Sequence, residues 1–384
     1  MRQFTRFASL SIGALTLTSC GVFSFLHSAN VIRKTAASPY HAKVPVIRWH
    51  RASLGSQALL KEGTAISSVL PGPSGRIYYG TGNSFGTSNV IGWYNPDTGH
   101  SAWYRIPKVP PFPRQSGFQT SHLTLSESTY WGAVDLIVSG SYTIWYHHWG
   151  YVGGLTTRGR FVPGDYAIVG PTAHRKVSTA SIQTAFGGNP TLRVMNTENK
   201  QMLSYPMPTS LSSPVGIAFG QKTNHIWLLD PNTLWRLNTA SRQWTPVTTS
   251  AMGDFFVGMG EWHWGLWVVD ANGNIDTIGN KGHLIAISHV PIHPIAAKGA
   301  GQYGIWLVSK HHLILWEPHQ PIKTWSWPHL SYPVPASSTQ QGLLADWPPL
   351  PHIQKGPHDV LDIGYGPFIG QAYFKAKTIS PASH

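Results

Sequence analysis

Charge is what this chain has least of. Only 11 % of its 384 residues are Asp, Glu, Lys or Arg, where a soluble domain ordinarily carries about a quarter. Acids are the scarcer sign, 15 against 28 basic residues, which leaves a formal net charge of +13. A cation site built from several carboxylates therefore has few donors to draw on. The basic residues are scattered, with no cluster that would track a phosphate backbone, so no nucleic-acid partner is indicated. Diffuse positive charge still attracts an anionic surface or wall polymer. Ionised carboxylate pairs are the groups through which acid unfolds proteins, and few carboxylates leave little to lose. With 20 histidines alongside, this composition predicts a protein facing an acidic medium, its stability flat from neutral pH down to about pH 3.

Cysteine is nearly absent too. Cys20 is the only one, so no intrachain disulfide exists and an oxidising compartment poses no thiol problem. Helical periodicity is missing: no stretch sustains it over three turns. There is also no nucleophile elbow, no glycine-rich phosphate loop ahead of a helix and no HExxH. The paired histidines His147-His148 and His311-His312 do not have zinc-site spacing.

The amino terminus carries a different signal. Arg2 and Arg6 precede the uncharged, mostly apolar run Phe7 to Leu17, the layout of an export signal. Leu17 to Cys20, "LTSC", then matches a bacterial lipobox, with Cys20 as the lipidated residue. A plain secretory signal is one alternative. An uncleaved anchor is another, because Phe7 to Leu26 is uncharged and long enough to span a bilayer. All three put the bulk of the chain outside the cytoplasm. The expected division is 1–20 signal peptide, 21–44 tether and 45–384 folded domain.

What is abundant is glycine (39), proline (30), tryptophan (17) and tyrosine (15), the composition of a turn-rich all-β protein. A repeat organises it. "NHIWLLD" (224–230), "HWGLWVVD" (263–270) and "YGIWLVS" (303–309) place Trp227, Trp267 and Trp306 at steps of 40 and 39 residues, a propeller-blade period. Around each tryptophan lie four short strand patterns separated by turn residues: 214–249, 255–290 and 294–328. A fourth such unit covers 66–107. Two less regular ones are expected between 115 and 210, one using "HLTLS" (122–126) and 141–152, the other 182–208. The runs 359–376, completed by 44–52 from the other end of the chain, would make a seventh. The expected fold is an all-β β-propeller of four-stranded blades, with seven favoured over six. The three tryptophans are expected between blades, because one blade cannot bury its own apolar face.

The blades "GPSGRIYYG" (72–80), "IGWYNPDTG" (91–99) and "AWYRIP" (102–107), with "YPMP" (205–208), "SPVGIAFG" (213–220) and "LWRLNTASRQW" (234–244), resemble those of the streptogramin B lyase (virginiamycin B lyase) family and related NHL-like propellers. The likeness covers about residues 60–330. It implies a propeller, and in its enzymes a Mg²⁺-dependent elimination with a histidine base. The family's repeated Glu at the end of the second strand is replaced here by Gly80, Asp230, Asp270 and Ser309, so no catalytic residue carries over.

Candidate ligand or metal residues come from position in the repeat. Asp254, Glu261 and His263 concentrate polar chemistry in one blade of an acid-poor chain, beside Asp270, which reads as a turn former ahead of Asn272-Gly273. His122 and His293 precede expected first strands, which in a propeller lie nearest the axis. The expected function is a lipid-anchored extracytoplasmic propeller, non-catalytic, binding a peptide, glycan or envelope protein on one face and requiring no cofactor. The alternative is a lyase or hydrolase with a divalent cation, Mg²⁺ first, in the channel. Converging carboxylates and histidines would favour the enzyme, and a neutral or aromatic funnel the binder.

Overall fold

The computed structural model describes residues 43–52, 65–82, 90–106, 135–139, 143–148, 151–163, 166–175, 178–185, 191–196, 198–199, 201–211, 214–220, 224–249, 255–262, 265–279, 283–330, 351–355 and 359–376. They form seven four-stranded antiparallel sheets. The opening strand β1 (Lys43–Arg51) belongs to the last sheet. Sheet 1 is β2 (Ala65–Pro71), β3 (Ile77–Gly82), β4 (Val90–Tyr94) and β5 (Ser101–Arg105). Sheet 2 is β6 (Asp135–Ser139), β7 (Thr143–His148), β8 (Tyr151–Thr156) and β9 (Phe161–Pro163). Sheet 3 is β10 (Tyr166–Arg175), β11 (Ser178–Ala185), β12 (Thr191–Asn196) and β13 (Met202–Pro206). Sheet 4 is β14 (Gly216–Phe219), β15 (His225–Leu229), β16 (Thr233–Asn238) and β17 (Gln243–Thr249). Sheet 5 is β18 (Phe256–Trp262), β19 (Gly265–Asp270), β20 (Asn274–Ile278) and β21 (Leu284–His289). Sheet 6 is β22 (Ala296–Gly299), β23 (Ile305–Val308), β24 (His312–Trp316) and β25 (Lys323–Ser326). Sheet 7 is β26 (His352–Lys355), β27 (Leu361–Tyr365) and β28 (Phe368–Ala376), with β1 paired outside β28 along its whole length, from Lys43 opposite Ala376 to Arg51 opposite Phe368.

The strand types follow from which faces are covered. Second strands are covered on both, so β19 and β23 are buried at every residue and read as unbroken apolar runs. The outermost strands β5 and β25 alternate in exposure, as a half-solvated strand must. Turns recur with the same chemistry. Asn95, Asn196 and Asn238 each accept two backbone N–H bonds through Oδ1, in the hairpins joining third to fourth strands. Between second and third strands, Asp270 Oδ1 accepts from the amides of Asn272 (3.0 Å) and Asn274 (2.9 Å). Ser309 Oγ does the same for His311 and His312. These are Asx- and Ser-turns, which is what Asp270 was expected to make.

The core lies between sheets. Trp227 packs with Met259, Leu266 and Val268 of sheet 5. Trp267 packs with Ile305, Leu307 and Ile314 of sheet 6, and Trp306 with Leu361, Ile363 and Ala372 of sheet 7. The 40-residue period therefore repeats one packing event, each sheet's tryptophan burying itself against the next. First strands contact one another in succession: β2 and β6, β6 and β10, β10 and β14, β14 and β18, β18 and β22, β22 and β26, and β26 and β2. Where the backbones come closest the residue is glycine. A Cβ on Gly258 would lie 2.6 Å from the Ala297 carbonyl oxygen, and one on Gly216 would lie 2.8 Å from Met259 Cβ.

Several sequence expectations need correction. The first described strand of sheet 2 is β6 at 135–139, and "HLTLS" with His122 lies outside the described residues. The expected run 141–152 holds β7 and the start of β8, which pair as antiparallel neighbours. Sheet 3 begins with β10, ahead of the expected 182–208, and sheet 7 begins with β26, ahead of the expected run 359–376.

Candidate functional site

The first strands of sheets 5 and 6 run side by side, level where Gly258 meets Ala297. The start of β18 is tied by backbone bonds to the loops at Pro231 and Ala271. Phe256 N donates to Pro231 O (2.8 Å), and Ala271 N donates to Phe255 O (2.7 Å). His293 Nδ1 lies 3.3 Å from the Ala271 carbonyl and donates to it when that nitrogen carries the proton. Phe255 and His293 are thereby held on either side of Ala271. His293 is exposed, and Phe255 is 50 % exposed although its neighbour Phe256 is buried. An exposed apolar ring, joined through the Ala271 backbone to the loop that carries an exposed imidazole, is suited to stacking or docking.

Glu261 sits at the other end of β18. Its Oε1 accepts the Phe219 amide of sheet 4 at 2.7 Å, satisfying a backbone donor across the sheet boundary. Glu261 lies three residues beyond the Gly258 level and His293 four residues before the Ala297 level. At about 3.3 Å per residue the two are on the order of 20 Å apart, so the structure does not bring them together. Asp254, His263, His122 and Cys20 lie outside the described residues. Among the described residues no three of His, Cys, Asp and Glu are grouped to hold a metal ion. The donor set among the described residues does not fit the Mg²⁺ implied by the lyase resemblance.

Four ionisable groups that sequence reading did not single out are shifted, first of all by burial. Lys298 on β22 has its ammonium pulled below the ordinary lysine value. On β26, burial lowers His352 to about 4. On β27, burial raises Asp362 to about 7, against a smaller opposing effect of the hydrogen bond from Gln371. Asp276 is raised by burial and then by the nearby Asp270 charge. The one available signal was a charged residue inside a first or second strand, as in "AAKG" and "LDIGY".

No known protein-family model matches the chain, and no curated protein matches it. Solved structures do. The extracellular domain of a putative one-component system from B. thetaiotaomicron aligns at 10 % identity with a TM-score of 0.50, over 85 % of this chain and 40 % of that one. A second structure, titled as the extracellular domain of a putative hybrid two-component system from B. thetaiotaomicron, aligns at 12 % identity and a TM-score of 0.49 over the same shares. The AfRom2 CNH domain aligns at 9 % identity and 0.47 over 85 % of this chain and 98 % of that one. The chain thus spans about 40 % of the length of the first two. At such identities the likeness is one of fold.

Proposed function

We propose that this chain is a closed seven-bladed β-propeller held outside the cytoplasm by a lipid on Cys20, and that it binds a peptide, glycan or protein partner without chemistry. The partner takes the face on which Phe255 and His293 stand. The single observation that carries this reading is the exposed Phe255 ring, braced through Ala271 beside His293. The extracellular domain named above supports the location through its shared fold, and the lone cysteine in "LTSC" supports the anchor. The resemblance to the streptogramin B lyase group rests on blade pattern, which is turn and core chemistry and does not carry an activity.

The test is calorimetric screening of the full chain against soluble glycans and peptides, repeated with Phe255→Ala and with Trp103→Ala. Trp103 is an exposed aromatic (38 %) on the outer strand β5 and serves as the control. Ligands of the face lose about tenfold or more in affinity with Phe255→Ala and are indifferent to Trp103→Ala. Equal losses in both variants would remove the face from the proposal. Fractionation of Cys20→Ala tests the anchor separately: a lipid-held chain leaves the membrane fraction, and an uncleaved helical anchor stays in it.

A further inference from the structure

The two ends of the strands do not share the charge of this chain equally. We propose, resting on the anchored reading of the segment before Lys43, that the face opposite Phe255 and His293 lies against anionic phospholipid headgroups. The partner face then looks away from the membrane.

Topology defines the two faces. Strands alternate in direction within each sheet, so links from first to second and from third to fourth strands fall at one end. Links from second to third strands fall at the other. Neighbouring sheets keep the same sense. Phe219, which ends β14, meets Glu261 near the end of β18, and Phe256, which starts β18, meets Pro231 in the second-to-third link of sheet 4. A Cβ on Gly301, in the β22–β23 link, would run into Asp359, in the β26–β27 link. Phe255 and His293 stand at the second-to-third end, beside Ala271. β1 runs against β28 and hence against the first strand β26, so it starts at the opposite face. Lys43, where the segment 21–42 joins the fold, is on that face.

The face where Lys43 enters is the basic one. Lys375 lies opposite Val44, and Lys43, Val44 and Lys375 are all exposed. The third-to-fourth turns add Arg158, Arg160 and Arg242, also exposed. Of the acids described there, Asp359 pairs with Lys355 at 3.5 Å, Glu317 pairs with Lys323, and Glu261 accepts the Phe219 amide. Asp97 and Glu198 are exposed in two other turns. In the sequence, the short links at this end add Lys176, Lys200, Lys222 and Lys281 and no further acid. At the face of Phe255 the described residues include Arg51, Arg105 and Lys310, set against Asp135, Asp230 and Asp270. The short links there add Asp165 and Asp254 and no base. The long connections 53–64, 107–134 and 331–350 carry acids and bases in equal number.

The segment 21–42 does not fix the orientation by itself. Fully extended it reaches about 75 Å, which would let either face turn to the lipid. Charge decides between them. Each lysine or arginine near an anionic bilayer adds an attraction that fades within a Debye length, about 8–10 Å at ordinary ionic strength. A six-residue strand such as β19 spans about 20 Å, so only one face at a time lies within that layer. The face with the excess of bases gains more there. It is also the face on which the anchored segment emerges, so the chain need not pass around the rim to reach the lipid.

The experiment reconstitutes the full chain, taken from membranes, into phosphatidylcholine vesicles with or without phosphatidylglycerol. A dye on Ser241→Cys, in the turn before β17, or on Lys310→Cys, in the turn before β24, reports energy transfer to an acceptor in the headgroups. With phosphatidylglycerol the Ser241→Cys dye should lie nearer the acceptor, by on the order of 15–20 Å. The difference should shrink by at least about half in about 0.5 M salt and in phosphatidylcholine alone. Arg158→Ser, Arg160→Ser and Arg242→Ser together should shrink it likewise, whereas Arg51→Ser with Arg105→Ser should leave it. Equal transfer from both dyes, or a difference indifferent to salt, lipid and the three arginines, would overturn the proposal. The anchor is read separately, by flotation of Cys20→Ala with the same vesicles. If that variant floats through a helical anchor, the orientation is measured on it unchanged. If it is released, its residual binding to phosphatidylglycerol vesicles should fall at least about tenfold when the three arginines are replaced, and binding that does not fall would equally overturn the proposal.

Discussion

Trp306 and Trp316 are neighbours in sheet 6, both buried, and differ in one atom's fate. Trp316 Nε1 donates to Ser288 Oγ of sheet 5 at 3.1 Å, whereas Trp306 Nε1 is buried with no hydrogen-bond partner among the described residues. The Trp306 indole N–H was desolvated without compensation, so removing it recovers part of what its ring loses. Replacing Trp316 leaves the Ser288 hydroxyl without its donor and opens a similar void. Chemical denaturation should show Trp306→Phe milder than Trp316→Phe by about 1 kcal/mol. Trp306→Ala should still cost about 3–5 kcal/mol, because the ring is 0 % exposed and lies between sheets. Equal costs for the two phenylalanine variants would mean that packing alone decides.

At the scale of the element, the approach of first strands sets the tightest constraint. Gly258→Ala places a Cβ 2.6 Å from the Ala297 carbonyl oxygen and 2.7 Å from its Cβ, backbone that cannot give without moving β22 against β18. Gly99 is strained in a different way: φ is +71°, and nothing lies within 4 Å of its Cβ position. Thermal melts should therefore rank Gly258→Ala as the more damaging, at about 2–3 kcal/mol against about 1 kcal/mol for Gly99→Ala. The elements readable in sequence were those whose two faces are both covered by protein, since they leave unbroken apolar runs with a tryptophan at a fixed step. The short or polar first strands were not readable. β26 is "HIQK", four residues among prolines, and β6 lies beyond the run taken for it. Of the site, Glu261 and His293 were marked by charge and position. Phe255 and Asp362 were not, because exposure of one phenylalanine in "FF" and burial of one aspartate in "LDIGY" depend on which sheets meet. For Asp362 that meeting joins Gly364 with Ile66 and Val69 from near the other end of the chain, and no local pattern records it.

For the whole molecule, charge imbalance is the remaining force. A net +13 is spread over a fold in which the ion pairs among the described residues are Lys323–Glu317 and Lys355–Asp359. Like charges held in a compact fold repel more than in an expanded chain, so the imbalance opposes folding. Salt shortens the reach of that repulsion to about 10 Å at 0.1 M, while among the described residues two ion pairs stand to be weakened. Raising sodium chloride from 0.05 M to about 0.5 M should accordingly raise the urea midpoint of the full chain. The gain should be larger at pH 4 than at pH 7, because the exposed members of its 20 histidines add positive charge as the pH falls. A midpoint that falls with salt at both pH values would mean that attractive pairs dominate. A gain of the same size at both would mean that the histidines do not feel the imbalance. Chloride and sulfate compared at equal ionic strength separate screening from surface exclusion, since only the latter distinguishes the two anions strongly.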